Sequence, residues 1–329
     1  MITDADAEFH PPAGGDPSWA ETNYFGFYSA EAPLNVGVYA LFRPNLGVVH
    51  STVCMNSGDA PMPWRADFCD MRSHLPIPEP RSLRTYALAN GLSVATVKPN
   101  DTWHIGYDDD AGTSIDVTYQ ALMPAFDIHD PDMDPITAAQ SRERFAWGTA
   151  YNGHFDQTGH VQGRVTVRGR EVPIDCVSTM DHSWGPRFER GSPNMSWLHA
   201  HFSDQLAVHG IFSFDEADGG GALALMHGYV IRDGKCIGLA SGRGVTGRDA
   251  DFYARRLEIR VEDAHGDSYD LRGEGFTRFP WQAWPNVVGF NVLARWDCAG
   301  RTGYGEVQDF VDLTRLCEGR AMPTNAAAG

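Results

Sequence analysis

Within seven residues, Asp181 to Arg187, the string Asp-His-Ser-Trp-Gly-Pro-Arg gathers a carboxyl, an imidazole, an indole and a guanidinium. Adding water across a double bond, or removing it, needs a proton donor at the substrate carbon and a group that handles the water. A carboxylic acid in an apolar cavity keeps its proton to higher pH. Asp181 beside Trp184 is the candidate for that role. His182 suits a base or a water holder, and Trp184 suits an aromatic face for a cationic intermediate. Arg187 either orients a polar end of the substrate or pairs with Asp181. A structural reading stands beside this one: Trp184 as a core plug, with the Asp-His pair capping a turn at Gly185-Pro186.

Other residues could join the same site. Trp147 and Tyr151 share a face with Phe155 if residues 145–155 form a regular strand, so Tyr151 is a further catalytic candidate and Trp147 a substrate contact. His154 then falls on the other face unless a bulge intervenes at Gly153. Trp197, His199 and His201 sit two apart along one strand, and two imidazoles on one face can bind a metal. A cupin would place a Glu a few residues on; here Asp204 comes too early and no Glu follows before Glu216. The expectation is therefore histidines lining a polar cavity face, with no metal and no cofactor. Tyr304 and Glu306 share a strand face and suit a proton relay. The aromatic run 279–285, interrupted by Pro280 and Pro285, is expected to form a loop that clasps an apolar ligand at a barrel mouth or plugs one end.

The chain that positions these groups has 329 residues, 42% hydrophobic and 21% charged, enough for a substantial core. A net charge of −17 opposes a nucleic-acid partner or an anionic membrane surface. No apolar run approaches 18 residues, and the acidic first residues lack the pattern of a signal peptide. A soluble, cytoplasmic protein is expected, its oligomeric state open, with a homodimer among the options. The six cysteines form no Cys-x-x-Cys pair, which favours reduced thiols over zinc or disulfides. No phosphate loop and no Gly-x-Ser-x-Gly elbow is present.

Short alternating segments recur every ten to twelve residues, with turn signals such as Asp233-Gly234 between them. Long helical periods are almost absent, so the class is all-β, a sandwich or barrel type. About fifteen strands are too many for one small barrel. Two barrels or strongly curved sheets fit: a loose arm over 1–20, one β domain over 21–175, a second over 176–317 with the Asp181 motif at the junction, and a tail over 318–329. The proline-rich stretch 56–83 is expected to be irregular, a flap over a cavity.

Four segments together resemble a known family: Gly153-His154-Phe155-Asp156-Gln157, Gly163-Arg164-Val165, Asp175-Cys176 and Asp181 through Arg187. The pattern is similar to the hydroxyneurosporene synthase-like group, which includes carotenoid 1,2-hydratases. The resemblance implies two lipocalin-like antiparallel barrels packed side by side, an architecture shared with fungal pericyclases of the Diels–Alderase type. In the hydratase branch a His-x-Trp element and a later acid serve the site. His182 and Trp184 match the first; residues 206–216 offer no match to the second. The resulting expectation is a cofactor-free lyase or hydratase acting on an isoprenoid, steroid or aromatic compound. An isomerase, pericyclase or retro-aldol lyase in the same cavity and a non-catalytic carrier of hydrophobic ligands are the rivals.

Overall fold

A computed structural model describes residues 1–12, 14–139, 152–187, 194–214, 221–284 and 286–321. Its strands are β1 (Trp19–Ser29), β2 (Leu34–Arg43), β3 (Val48–Asn56), β4 (Phe68–Pro76), β5 (Thr85–Ala87), β6 (Ser93–Lys98), β7 (Thr102–Asp108), β8 (Ser114–Ala121), β9 (Phe126–Asp127) and β10 (Gly153–Val167). They continue as β11 (Arg170–Pro186), β12 (Met195–Ser203), β13 (Leu206–Ser213), β14 (Ala222–Arg232), β15 (Lys235–Arg248), β16 (Ala254–Asp263), β17 (Ser268–Gly275), β18 (Phe279–Trp284), β19 (Val287–Cys298) and β20 (Arg301–Asp312). Helices are few: α1 (Pro135–Ala139) and α2 (Leu313–Ala321). None of the described helices is long and apolar enough to cross a membrane.

The strands form two antiparallel sheets, as the alternation predicts. The first runs β4-β3-β2-β1-β11-β10-β8-β7-β6-β5, with β9 on β10, and curls into a half-barrel. The second runs β17-β16-β15-β14-β13-β12-β20-β19-β18, and β17 pairs back onto β19 to close an eight-stranded barrel. Closure removes the open edges of that sheet.

Three apolar layers follow from the two-residue period. Phe25, Phe27, Val36, Val38, Phe155 and Met180 fill the concave face of the first sheet. Leu198, Val208, Leu257, Val292 and Val307 fill the second barrel. Between the sheets lie Tyr24, Tyr39, Trp197, Ile211, Trp281 and Phe310. Each such side chain contributes roughly 1.5–3 kcal/mol on burial, so neighbours on one strand are held firmly to opposite faces.

Four local expectations change. The Asp181 motif is not a turn: it is the second half of β11, paired along its length with β1 and β10. The Gly-Pro break falls at the strand end, where Pro186 lies opposite Trp19 and a missing N–H costs little. The strand also runs through position 175 within the first sheet, so the change of sheet falls between Pro186 and Met195. The stretch 56–83 contains edge strand β4, and the aromatic run is strand β18 rather than a loop.

Gly153 lies opposite Trp184 across β10 and β11, and a Cβ there would fall inside the indole ring. Gly153→Ala is expected to lower stability by about 1–3 kcal/mol, the usual cost of overpacking. A shift in the urea midpoint at unchanged slope would register it.

Candidate active site

The register of β11 sorts the motif onto two faces. Asp181 and Ser183 lie opposite Tyr24 and Thr22 of β1 and face the second sheet; His182 and Trp184 lie opposite Asn23 and Glu21 and face the concave side. Across β10, His154, Asp156 and Thr158 share the face of Ser183, Asp181 and Thr179. Opposite them stand Trp197, His199 and His201 of β12, His209 and Ile211 of β13, and Glu306 and Gln308 of β20. One layer thus carries a set of buried polar groups.

A cavity of about 50 Å³ opens in this layer. Apolar groups dominate its wall: Tyr24, Tyr39, Trp197, Ile211, Trp281 and Phe310. The polar wall consists of Thr22, His154, Asp181, Ser183, Arg187 and Gln308. The side chain of Asp181 is 19% exposed, and its Oδ1 is buried without a hydrogen-bond partner. Burial is the main influence on this carboxyl; His154 and Arg187 oppose the effect, Asp156 adds to it, and the pKa is pushed up to about 7.

His154 Nδ1 lies 3.9 Å from Asp181 Oδ2, while its Nε2 donates to Asp156 Oδ2 at 3.0 Å. Asp156 also lies 3.1 Å from His209 Nε2 and accepts a bond from Trp197 Nε1 at 2.8 Å. Burial disfavours charge on His154, but the carboxylate of Asp156 outweighs it and raises the pKa. Asp156 is held well below the usual carboxylate range: burial acts against its charge, but His209 and His154 prevail. A buried ionised Asp156 therefore fixes an imidazole beside the Asp181 carboxyl. Arg187, 3% exposed, donates from Nη2 to Ser183 Oγ at 2.8 Å on the same wall.

The remaining sequence candidates separate. His182, 2% exposed, packs beside Phe155 and donates from Nδ1 to the Thr22 carbonyl at 2.7 Å, behind the sheet from the cavity. Burial drives its pKa down to about 3, so the ring is neutral. Trp184 stacks on His10 at 3.7 Å between ring centres, on that same concave side. Neither residue lines the cavity, because period two sends neighbours of Asp181 the other way. Trp197 does line it. His199 and His201 are buried next to it, their rings 4.8 Å apart, and His201 Nε2 bonds Thr179 Oγ1 at 2.9 Å. Glu306 lies under Tyr24, accepting bonds from Tyr24, Asn35, Asn291 and Gln308. Burial nevertheless raises its pKa. Tyr304 packs against Tyr28 and Phe276, away from the cavity wall. Trp147 and Tyr151 lie outside the described residues.

The sequence reading assigned no role to His154 or Asp156. Both residues of β10 stand in the quoted motif two positions apart, so strand alternation was the available signal. Among the described residues, the sole trio of potential ligands drawn within 4.8 Å of one another is His10, Glu21 and His182. His199 and His201 complete no such group.

Residues 3–309 match DUF7064, a domain of unknown function, and the chain belongs to that family. No curated protein matches the sequence. Solved structures share the fold across nearly the whole chain. CghA is 14% identical with a TM-score of 0.54, covering 90% of this chain and 89% of its own. Kievitone hydratase from Nectria haematococca is 12% identical with a TM-score of 0.51, covering 93% and 94%. A putative AttH from Nitrosomonas europaea is 12% identical with a TM-score of 0.50, covering 88% and 91%.

Proposed function

We propose that this chain is a cofactor-free lyase of the hydratase type, acting on a largely apolar isoprenoid, steroid or aromatic molecule held between its two β units. The observation that supports this most is the Asp181 carboxyl. It stands in an apolar cavity, has one oxygen without a partner, and lies next to an imidazole that a buried aspartate secures. In the hydration direction the Asp181 proton passes to one carbon of a double bond. Water adds through its oxygen to the neighbouring, electron-poor carbon. The proton that this water sheds returns to the Asp181 carboxylate, directly or through His154. Dehydration runs the same steps backwards.

The rings of Trp197, Trp281 and Tyr24 supply faces for the intermediate cation, the role that the sequence suggested for Trp184. Arg187 and Ser183 hold a polar end of the substrate. A hydratase among the proteins of this fold is compatible with the reading, although 12% identity speaks to fold and not to reaction.

A panel of isoprenoid, steroid and phenolic alkenes, incubated with the protein in H₂¹⁸O, tests the reaction class. The expected product carries one labelled oxygen from solvent. Conversion without label would point to an isomerase or retro-aldol lyase. Recovery of a bound but unchanged ligand would point to a carrier.

A further inference from the structure

On the concave side of the first sheet, three side chains from distant parts of the chain meet behind the cavity wall. His10 comes from the N-terminal arm, Glu21 from β1 and His182 from β11. One ligand atom from each lies within 4.8 Å of the other two. His10 Nδ1 is 3.1 Å from Glu21 Oε2, and His182 Nε2 is 3.9 Å from the same oxygen. In a tetrahedral zinc site with bonds of about 2.0–2.2 Å, ligand atoms stand about 3.4 Å apart. The observed spacings bracket that figure.

Two further features favour a metal over a plain hydrogen-bond cluster. First, His182 Nε2 is buried, 2% of the residue being exposed, and has no hydrogen-bond partner. The Nδ1–H bond to the Thr22 carbonyl fixes the tautomer, so Nε2 carries the free lone pair, 3.9 Å from Glu21 Oε2. Second, His10 is braced from behind: its Nε2 lies 3.1 Å from Asp6 Oδ1. Metal-bound histidines characteristically have their second nitrogen held by a carboxylate or a backbone carbonyl, and both arrangements occur here. Glu21 is 0% exposed, so its carboxylate sits where a divalent charge would be stabilising.

We propose that His10 Nδ1, Glu21 and His182 Nε2 form a binding site for a zinc-class divalent cation that clamps the N-terminal arm onto β1 and β11. Binding displaces the proton shared between His10 and Glu21, and water completes the shell. The sequence reading expected no metal because His199 and His201 lack a well-placed Glu; the three ligands found here are separated by 11 and 161 residues, and no local motif announces them. The site lies on the opposite face of β11 from Asp181, so the clamp is structural and independent of the hydratase reading.

Titration of the metal-free, full-length protein with Co²⁺ and, separately, with Zn²⁺ tests the clamp. One equivalent of Co²⁺ is expected to give the visible absorption of a low-coordinate site. One equivalent of Zn²⁺ should displace it and raise the melting temperature. His10→Ala removes the ligand on the arm together with its stacking on Trp184; Glu21→Gln keeps the shape of the side chain. Each is expected to weaken binding at least about tenfold and to remove the zinc-dependent stabilisation. Absence of stoichiometric binding in the wild type, or undiminished binding in both variants, would overturn the proposal.

Discussion

Asp181→Asn is expected to lower turnover of any substrate found for this protein by about 10²–10⁴-fold, the usual contribution of a positioned acid. The amide has the size of the acid and can still donate a hydrogen bond, but it cannot release a proton to carbon. Binding of the same ligand should change little, because Trp197, Trp281, Tyr24 and Phe310 form most of the wall. The loss should therefore fall on kcat and leave KM nearly constant. His154→Gln is expected to show a smaller loss, since His154 relays a proton that Asp181 can also exchange with water. Steady-state kinetics on both variants, with circular dichroism to confirm folding, would establish the order.

The second large effect concerns stability. Asp156 is 1% exposed and accepts bonds from His154 and Trp197, with His209 3.1 Å away. Asp156→Ala leaves an indole N–H and two imidazoles without their common partner, and is expected to cost about 3–5 kcal/mol. Asp156→Asn retains one acceptor and should lose less. The pH dependence has a definite sign. The folded pKa of Asp156 is depressed, so its contribution is present above the unfolded value near 3.9 and is lost as pH falls through the lower folded value. The folded pKa of His154 is raised, so its contribution is complete below the unfolded value near 6.5 and is lost as pH rises through the higher folded value. The gap between wild type and Asp156→Ala should be widest between about pH 4 and 6.5. Urea unfolding at a series of pH values would show it.

Much of the architecture was legible because strands announce themselves by alternation. The runs over β2, β3, β7, β8, β16, β17, β19 and β20 carry it clearly, and two curved sheets follow from their number. The site was only half legible, for a definite physical reason. Asp181 and His182 are adjacent in sequence, and a turn at Gly185-Pro186 would have allowed both to face one cavity. In the structure that pair closes a long strand, and strand geometry sends the two side chains to opposite faces. Asp181 thereby joins His154, Ser183 and Arg187 at the cavity, while His182 joins His10 and Glu21 behind it. Trp281 and Trp284 were read as parts of a clasping loop; strand β18 instead presents both to the cavity wall. Pairings of β11 with β1 and β10 decide which way the motif faces, and the one with β1 depends on contacts more than a hundred residues apart.

Deuterium transfer tests most directly whether the cavity carboxyl delivers the proton. In D₂O the exchangeable proton of Asp181 becomes a deuteron, positioned on one side of the bound substrate. The wild type is expected to place one deuterium on a single face of the reacting carbon, and Asp181→Asn to do so at no more than about 1% of that rate while binding the same compound. Equal rates of incorporation, with the same facial preference, in wild type and variant would contradict the account.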